Sequence, residues 1–115
     1  MTPFVLAIDI GTTSTKALAV LSNGEVLGSH QRFYPTTYPK PGYAEQNPLQ
    51  ILEAVKEVVN DVLSHITETY TLNGICFSSA MHSLMAVAID GKPLSPLIIW
   101  ADTRSKVQAA HLKKY

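Results

Sequence analysis

Phe4 to Ile10 leave little choice of fold: an apolar run broken only by Asp9, delivered straight into Gly11-Thr12-Thr13-Ser14. A run of this length closed by turn residues reads as a central strand covered on both faces. Thr15 to Leu21 mixes Thr, Ala, Val and Leu and reads as a second strand. Asn23-Gly24 then offers the pair of positive φ angles that a type I′ turn needs. Glu25 to Phe33 returns as a third strand, and its polar stretch Ser29-His30-Gln31-Arg32 suits an edge. Three consecutive strands joined by tight turns make an antiparallel meander.

The first turn carries the chemistry. Gly11 lacks a Cβ, so the backbone there can approach phosphate oxygens closely, and amide and hydroxyl donors of Thr12 and Thr13 line the turn. Asp9 would repel a phosphate on its own and becomes useful with Mg²⁺ between them, usually through retained waters. Lys16 can offset the remaining negative charge. The spacing is neither G-x-x-x-x-G-K-[ST] nor G-x-G-x-x-G, which excludes a Walker A loop and a dinucleotide fingerprint. Two readings stay open for the residues alone: a hairpin turn that happens to be rich in Gly and Thr, and a phosphate loop that opens a β-hairpin.

Beyond the meander, Tyr34 to Pro48 holds four prolines, Gly42 and three tyrosines, the composition of a stiff loop rather than a strand or helix. Asn47 can cap a following helix, with Pro48 at its first position and Gln50 at capping-box spacing. Leu52, Val55, Val59, Val62 and Ile66 supply that helix's apolar stripe. Asn73-Gly74 starts a strand over Ile75 to Ser78, Asp90-Gly91 marks another hairpin, and Pro96 keeps Leu94 to Trp100 irregular or at an edge. Asp102 or Thr103 can cap a last helix running through Val107, Ala110 and Lys113.

Nine basic and nine acidic residues cancel, so the chain offers no electrostatic footprint for nucleic acid or an anionic membrane. Cys76 is the only cysteine; it excludes an internal disulfide and, within an apolar run, reads as a buried, inert thiol. There is no basic region followed by an apolar stretch and a cleavage site, and no apolar run of membrane-spanning length, which makes the cytoplasm the economical location.

A second group of polar residues gathers where strands are expected to end. His82 could exchange hydrogen bonds with a hydroxylated substrate beside an adaptable wall from Met81; alternatively, it is a partly buried histidine satisfied by backbone. Trp100-Ala101-Asp102-Thr103-Arg104 combines an aromatic face, a carboxylate and a guanidinium, which suits a polyol. The alternative is a core tryptophan followed by a helix cap. His30 and His111 read as surface residues, and neither a Ser-His-Asp nor a Cys-His arrangement can be defended.

Taken in order, these motifs resemble the N-terminal domain of the FGGY carbohydrate kinases, a branch of the actin, Hsp70 and hexokinase-like ATPase fold. Asp9 to Lys16 resembles the family's phosphate loop, and Tyr38 to Pro48 its proline-rich loop. Ala80-Met81-His82 stands at the substrate loop, and Trp100 to Arg104 matches a Trp-x-Asp-x-Arg element. The strings Ser78 to Leu84 and Trp100 to Ser105 look most like gluconokinases, then xylulokinases. The resemblance implies an α/β fold of the ribonuclease H-like, actin-like ATPase type: a central mixed sheet with a three-strand antiparallel meander, flanked by helices. It implies ATP and Mg²⁺, with nucleotide phosphates at Asp9, Gly11, Thr12, Thr13 and Lys16. The metal would be held near Asp9 through water. A sugar or sugar acid would meet Met81, His82, Trp100, Asp102 and Arg104. Family members are several times longer, so residues 1–115 read as part of the N-terminal domain. The general base and the adenosine contacts are expected beyond Tyr115, this piece alone should not turn over, and the full-length enzyme could form a homodimer. An actin- or Hsp70-like nucleotide switch accounts for the first hairpin but leaves Met81-His82 and Trp100 without a use.

Overall fold

The computed structural model describes all 115 residues. They form two compact units: Met1–Tyr34 with Leu49–Ala80, and Pro35–Pro48 with Met81–Tyr115.

The first unit is built on β1 (Thr2–Ile10), β2 (Ser14–Leu21) and β3 (Val26–Phe33), the expected meander, joined by β5 (Tyr70–Ser79) in a sheet of order β3-β2-β1-β5. β1 pairs antiparallel with β2 and parallel with β5, so the sheet is mixed. Helix α1 (Pro48–Ser64) supplies Val58 and Val62 to a core with Phe4, Leu6, Ile8, Ala17 and Ala19. Each large side chain buried there contributes about 1.5–3 kcal/mol. Arg32 on β3 pairs with Glu57, and His30 Nε2 lies 2.9 Å from Asp61 Oδ2, so the polar edge strand is tied to α1.

Several expectations are corrected. β1 is covered on one face only: Phe4, Leu6 and Ile8 are buried, whereas Val5 and Asp9 alternate onto the other, open face. Cys76 is exposed, not buried, because β5 is an edge strand and α1 lies over β1 and β2. The fully buried residues of α1 are Ala54, Val58 and Val62, while the expected Val55 and Val59 are only partly buried against the same core and Leu52 is exposed. Asn23-Gly24 is not a type I′ pair. Only Gly24 has positive φ (89°), and Leu21 both accepts from the Gly24 amide and donates to the Glu25 carbonyl. That pattern fits a type I turn closed by a glycine bulge, with the Asn23 side chain accepting from the Glu25 amide at 2.9 Å. β5 begins earlier than expected, and Asn73 is its bulged residue: Leu72 pairs with Phe4 and Gly74 with Val5.

In the second unit, β4 (Glu45–Gln46) pairs antiparallel with β6 (Leu97–Ile98), and Leu84 bridges Ile98. Ala44, Gln46 and Ile99 are its buried residues. α2 (Lys106–Leu112) starts after Ser105, later than expected, because Asp102 spends its carboxylate elsewhere. No helix is long and apolar enough to cross a membrane.

Candidate functional site

The turn between β1 and β2 is closed by the Gly11 amide donating to the Ser14 carbonyl at 2.9 Å. A Cβ on Gly11 would stand 3.1 Å from that same carbonyl oxygen, closer than ordinary contact, so any side chain there would press on the backbone of the turn. Asp9 and Lys16 are direct cross-strand partners, and such partners project to one face. Both side chains therefore emerge on the open face of the sheet and line a hollow of about 270 Å³ with Phe77 and Ser78. An exposed carboxylate beside an ammonium and a donor-lined turn suits a cation that keeps most of its waters and also binds phosphate. All five residues expected at the phosphate site, Asp9, Gly11, Thr12, Thr13 and Lys16, are thus brought together.

Behind the turn stands a residue outside the expected site. Tyr34, buried at the end of β3, donates its hydroxyl to the Gly11 carbonyl at 2.6 Å and its amide to the Thr13 carbonyl at 3.1 Å. The fully buried Thr15 hydroxyl lies 3.2 Å from the same phenol oxygen. A phenol has one proton, and the carbonyl can only accept it, so Thr15 is the donor to Tyr34. Burial pushes the Tyr34 phenol above its ordinary value, the Thr15 hydrogen bond pulls the other way, and the charge of Asp9 adds to the rise. The proton therefore stays on Tyr34 at neutral pH. The available signal was an aromatic side chain closing an otherwise polar strand just before Pro35.

The second unit holds the remaining candidates. Met81 and His82 are exposed, and His82 adopts a left-handed backbone with φ of 63°, the only non-glycine residue in the chain to do so. Such a conformation is held against a local energy cost and is found at functional sites more often than elsewhere. Two residues on, Leu84 exchanges backbone hydrogen bonds of 2.9 and 2.8 Å with Ile98, which fixes the Met81-His82 segment beside the strand that leads to Trp100. Trp100 is 59% exposed, not a core tryptophan.

Asp102 and Arg104 are engaged with each other. The Asp102 carboxylate accepts from the Arg104 amide (2.9 Å), its Nε (2.9 and 3.0 Å) and Nη2 (2.7 Å), and from the Ala44 amide (2.8 Å). The Arg104 guanidinium also reaches Glu45 at 2.6 Å and stacks 3.8 Å from the centre of the Tyr43 ring. The Arg104 hydrogen bond, and then the backbone amides, hold the Asp102 carboxyl far below its usual range against the opposing effect of burial. This clamp joins the proline-rich loop to the Trp100 segment. Gly42 completes it: its carbonyl accepts from the Thr103 amide at 2.7 Å, its φ is 83°, and a Cβ there would meet Thr103 Oγ1 at 2.9 Å.

A mixed sheet that opens on a β-hairpin turn of this kind defines an α/β domain of the actin-like ATPase fold. Residues 4–115 match the profile of the FGGY family of carbohydrate kinases, N-terminal domain, and the chain belongs to that family. It is 43% identical over 114 residues to a gluconokinase of Bacillus subtilis, covering 99% of this chain and 22% of that protein. It is 40% identical over 111 residues to a xylulose kinase of Staphylococcus xylosus, covering 96% of this chain and 23% of that protein. Among solved structures, a gluconate kinase from Lactobacillus acidophilus superposes with a TM-score of 0.90 at 32% identity, covering 99% of this chain and 23% of that one. The chain thus spans under a quarter of the length of the curated relatives it matches.

Proposed function

We propose that this chain is the nucleotide-phosphate-binding part of a kinase that uses ATP to phosphorylate a hydroxyl of a sugar or sugar acid, gluconate first and xylulose second. The observation that carries the reading is the Asp9–Lys16 pair flanking a donor-lined turn in a domain of this family. Gly11, Thr12 and Thr13 bind phosphate oxygens through amides and hydroxyls, and Lys16 offsets their charge. Asp9 would hold Mg²⁺ through water; the metal, when bound, neutralises charge on the phosphates. Met81, His82 and Trp100 line the sugar side, with C–H faces packing on the indole and hydroxyls bonding the imidazole. Asp102 and Arg104 serve the same site by holding the Trp100 segment to the proline-rich loop. The chain's residues act by binding and orienting, which dominates in-line phosphoryl transfer. No residue of this chain is assigned as the general base. A cytoplasmic enzyme, dimeric when complete, belongs to the same reading.

The test is a coupled assay of the full-length protein with ATP and Mg²⁺ against gluconate and xylulose. Turnover of gluconate above xylulose is expected, the reverse order reassigns the substrate, and failure on both removes the reading.

A further inference from the structure

We infer that Tyr34 is a positioning residue for the nucleotide: by holding the Gly11 carbonyl from behind, it aims the Thr12 amide toward the phosphate. The inference rests on the reading of the turn as the phosphate site and adds to it a residue outside the turn.

The geometry follows from peptide planarity. In a trans peptide, the carbonyl of one residue and the amide N–H of the next point in opposite directions, and every peptide bond here is trans. The Tyr34 hydroxyl draws the Gly11 carbonyl toward itself at 2.6 Å, so the Thr12 N–H is directed away from Tyr34. The Tyr34 amide holds the Thr13 carbonyl in the same way, at 3.1 Å. Two carbonyls of the turn are thus turned away from the ligand side by one buried residue. An oxyanion beside the turn then meets donors and not carbonyl oxygens, which would repel it. Thr15, fully buried, donates to the phenol and so commits the single phenol proton to Gly11. The hydrogen-bond chain runs from the Thr15 hydroxyl through the Tyr34 phenol to the Gly11 carbonyl, and its two bonds polarise each other.

Removing the phenol oxygen leaves the ring in place and the Gly11 carbonyl without this partner. The Gly11–Thr12 peptide, whose first residue carries no Cβ, is then free to rotate and to present its oxygen to the phosphate. A purely structural role would lower stability and leave the two substrates equally affected. A positioning role separates them.

The experiment uses the full-length protein, with Tyr34→Phe, Thr15→Val and Asp9→Ala made singly. KM for ATP-Mg²⁺, KM for the sugar and the urea midpoint are measured for each. For Tyr34→Phe, KM for ATP is expected to rise about fivefold to tenfold while KM for the sugar stays within about twofold. Thr15→Val should move KM for ATP in the same direction by less. A Tyr34→Phe protein with an unchanged KM for ATP, in a background where Asp9→Ala severely weakens nucleotide use, overturns the role of Tyr34 and keeps the phosphate site. If Asp9→Ala also leaves nucleotide use unchanged, the phosphate site falls, and the role of Tyr34 falls with it.

Discussion

His82 offers a perturbation that separates backbone strain from sugar use, because stability should depend on the residue introduced while the loss of sugar use should not. Its φ of 63° lies in the left-handed region, where a residue with a Cβ costs about 1–2 kcal/mol relative to the right-handed one. His and Asn tolerate that region better than Ala does, and Gly pays no steric penalty there. Glycine recovers the strain but adds unfolded-state entropy worth about 0.5–1 kcal/mol. The net expectation is that His82→Gly is more stable than His82→Ala by about 1 kcal/mol, with His82→Asn between them. All three variants lose the imidazole, so kcat/KM for the sugar should fall about tenfold or more in each, with KM for ATP unchanged. Urea denaturation of the full-length protein and steady-state kinetics with each substrate varied in turn give both quantities. An alanine variant as stable as the glycine variant would refute the claim that this backbone is strained. A glycine variant that keeps its sugar kinetics would refute the use of the imidazole.

Other substitutions probe the clamp around Arg104. Gly42→Ala places a Cβ at φ 83° and 2.9 Å from Thr103 Oγ1, so it should destabilise by about 1–3 kcal/mol. Pairing it with Thr103→Ala should return the part due to the clash, read as a coupling between the two in urea midpoints. Asp102 has a folded pKa depressed below its ordinary 3.8, mainly by Arg104, so its stabilisation is complete above that value and is lost as pH falls toward the folded one. Wild type should therefore keep a constant advantage over Asp102→Asn between about pH 7 and 5 and lose it progressively below about pH 4. An advantage that grows in acid would contradict the ion pair.

The meander was readable because its apolar runs and turn residues are local signals: Phe4, Leu6 and Ile8 alternate into the core as the strand period requires. The open face of β1 and the exposure of Cys76 were not, because an apolar run states what a strand could bury and not what covers it. Asn23-Gly24 marks a turn in any backbone, yet the turn type depends on Asn23 keeping negative φ while its side chain bonds Glu25, a choice several backbones satisfy. The turn at Gly11 to Ser14 was legible from its residue types, whereas its use for phosphate rests on the family resemblance, because a Gly- and Thr-rich turn alone fits a plain hairpin equally well. Tyr34 was not legible, since its partner Gly11 lies 23 residues away and no periodicity links them. Asp102 and Arg104 were singled out for their chemistry, but sequence could not reveal that Glu45, 59 residues distant from Arg104, and Ala44 already claim them.

Where the nucleotide's phosphates and metal sit decides whether the turn after β1 is a phosphate site. A crystal of the full-length protein grown with a non-hydrolysable ATP analogue and Mn²⁺ in place of Mg²⁺ would show the metal by its anomalous signal. The expected peak lies about 4–5 Å from the Asp9 carboxylate, one water away, with phosphate oxygens against Gly11, Thr12 and Thr13. A triphosphate bound far from Asp9 and Thr12 would contradict it.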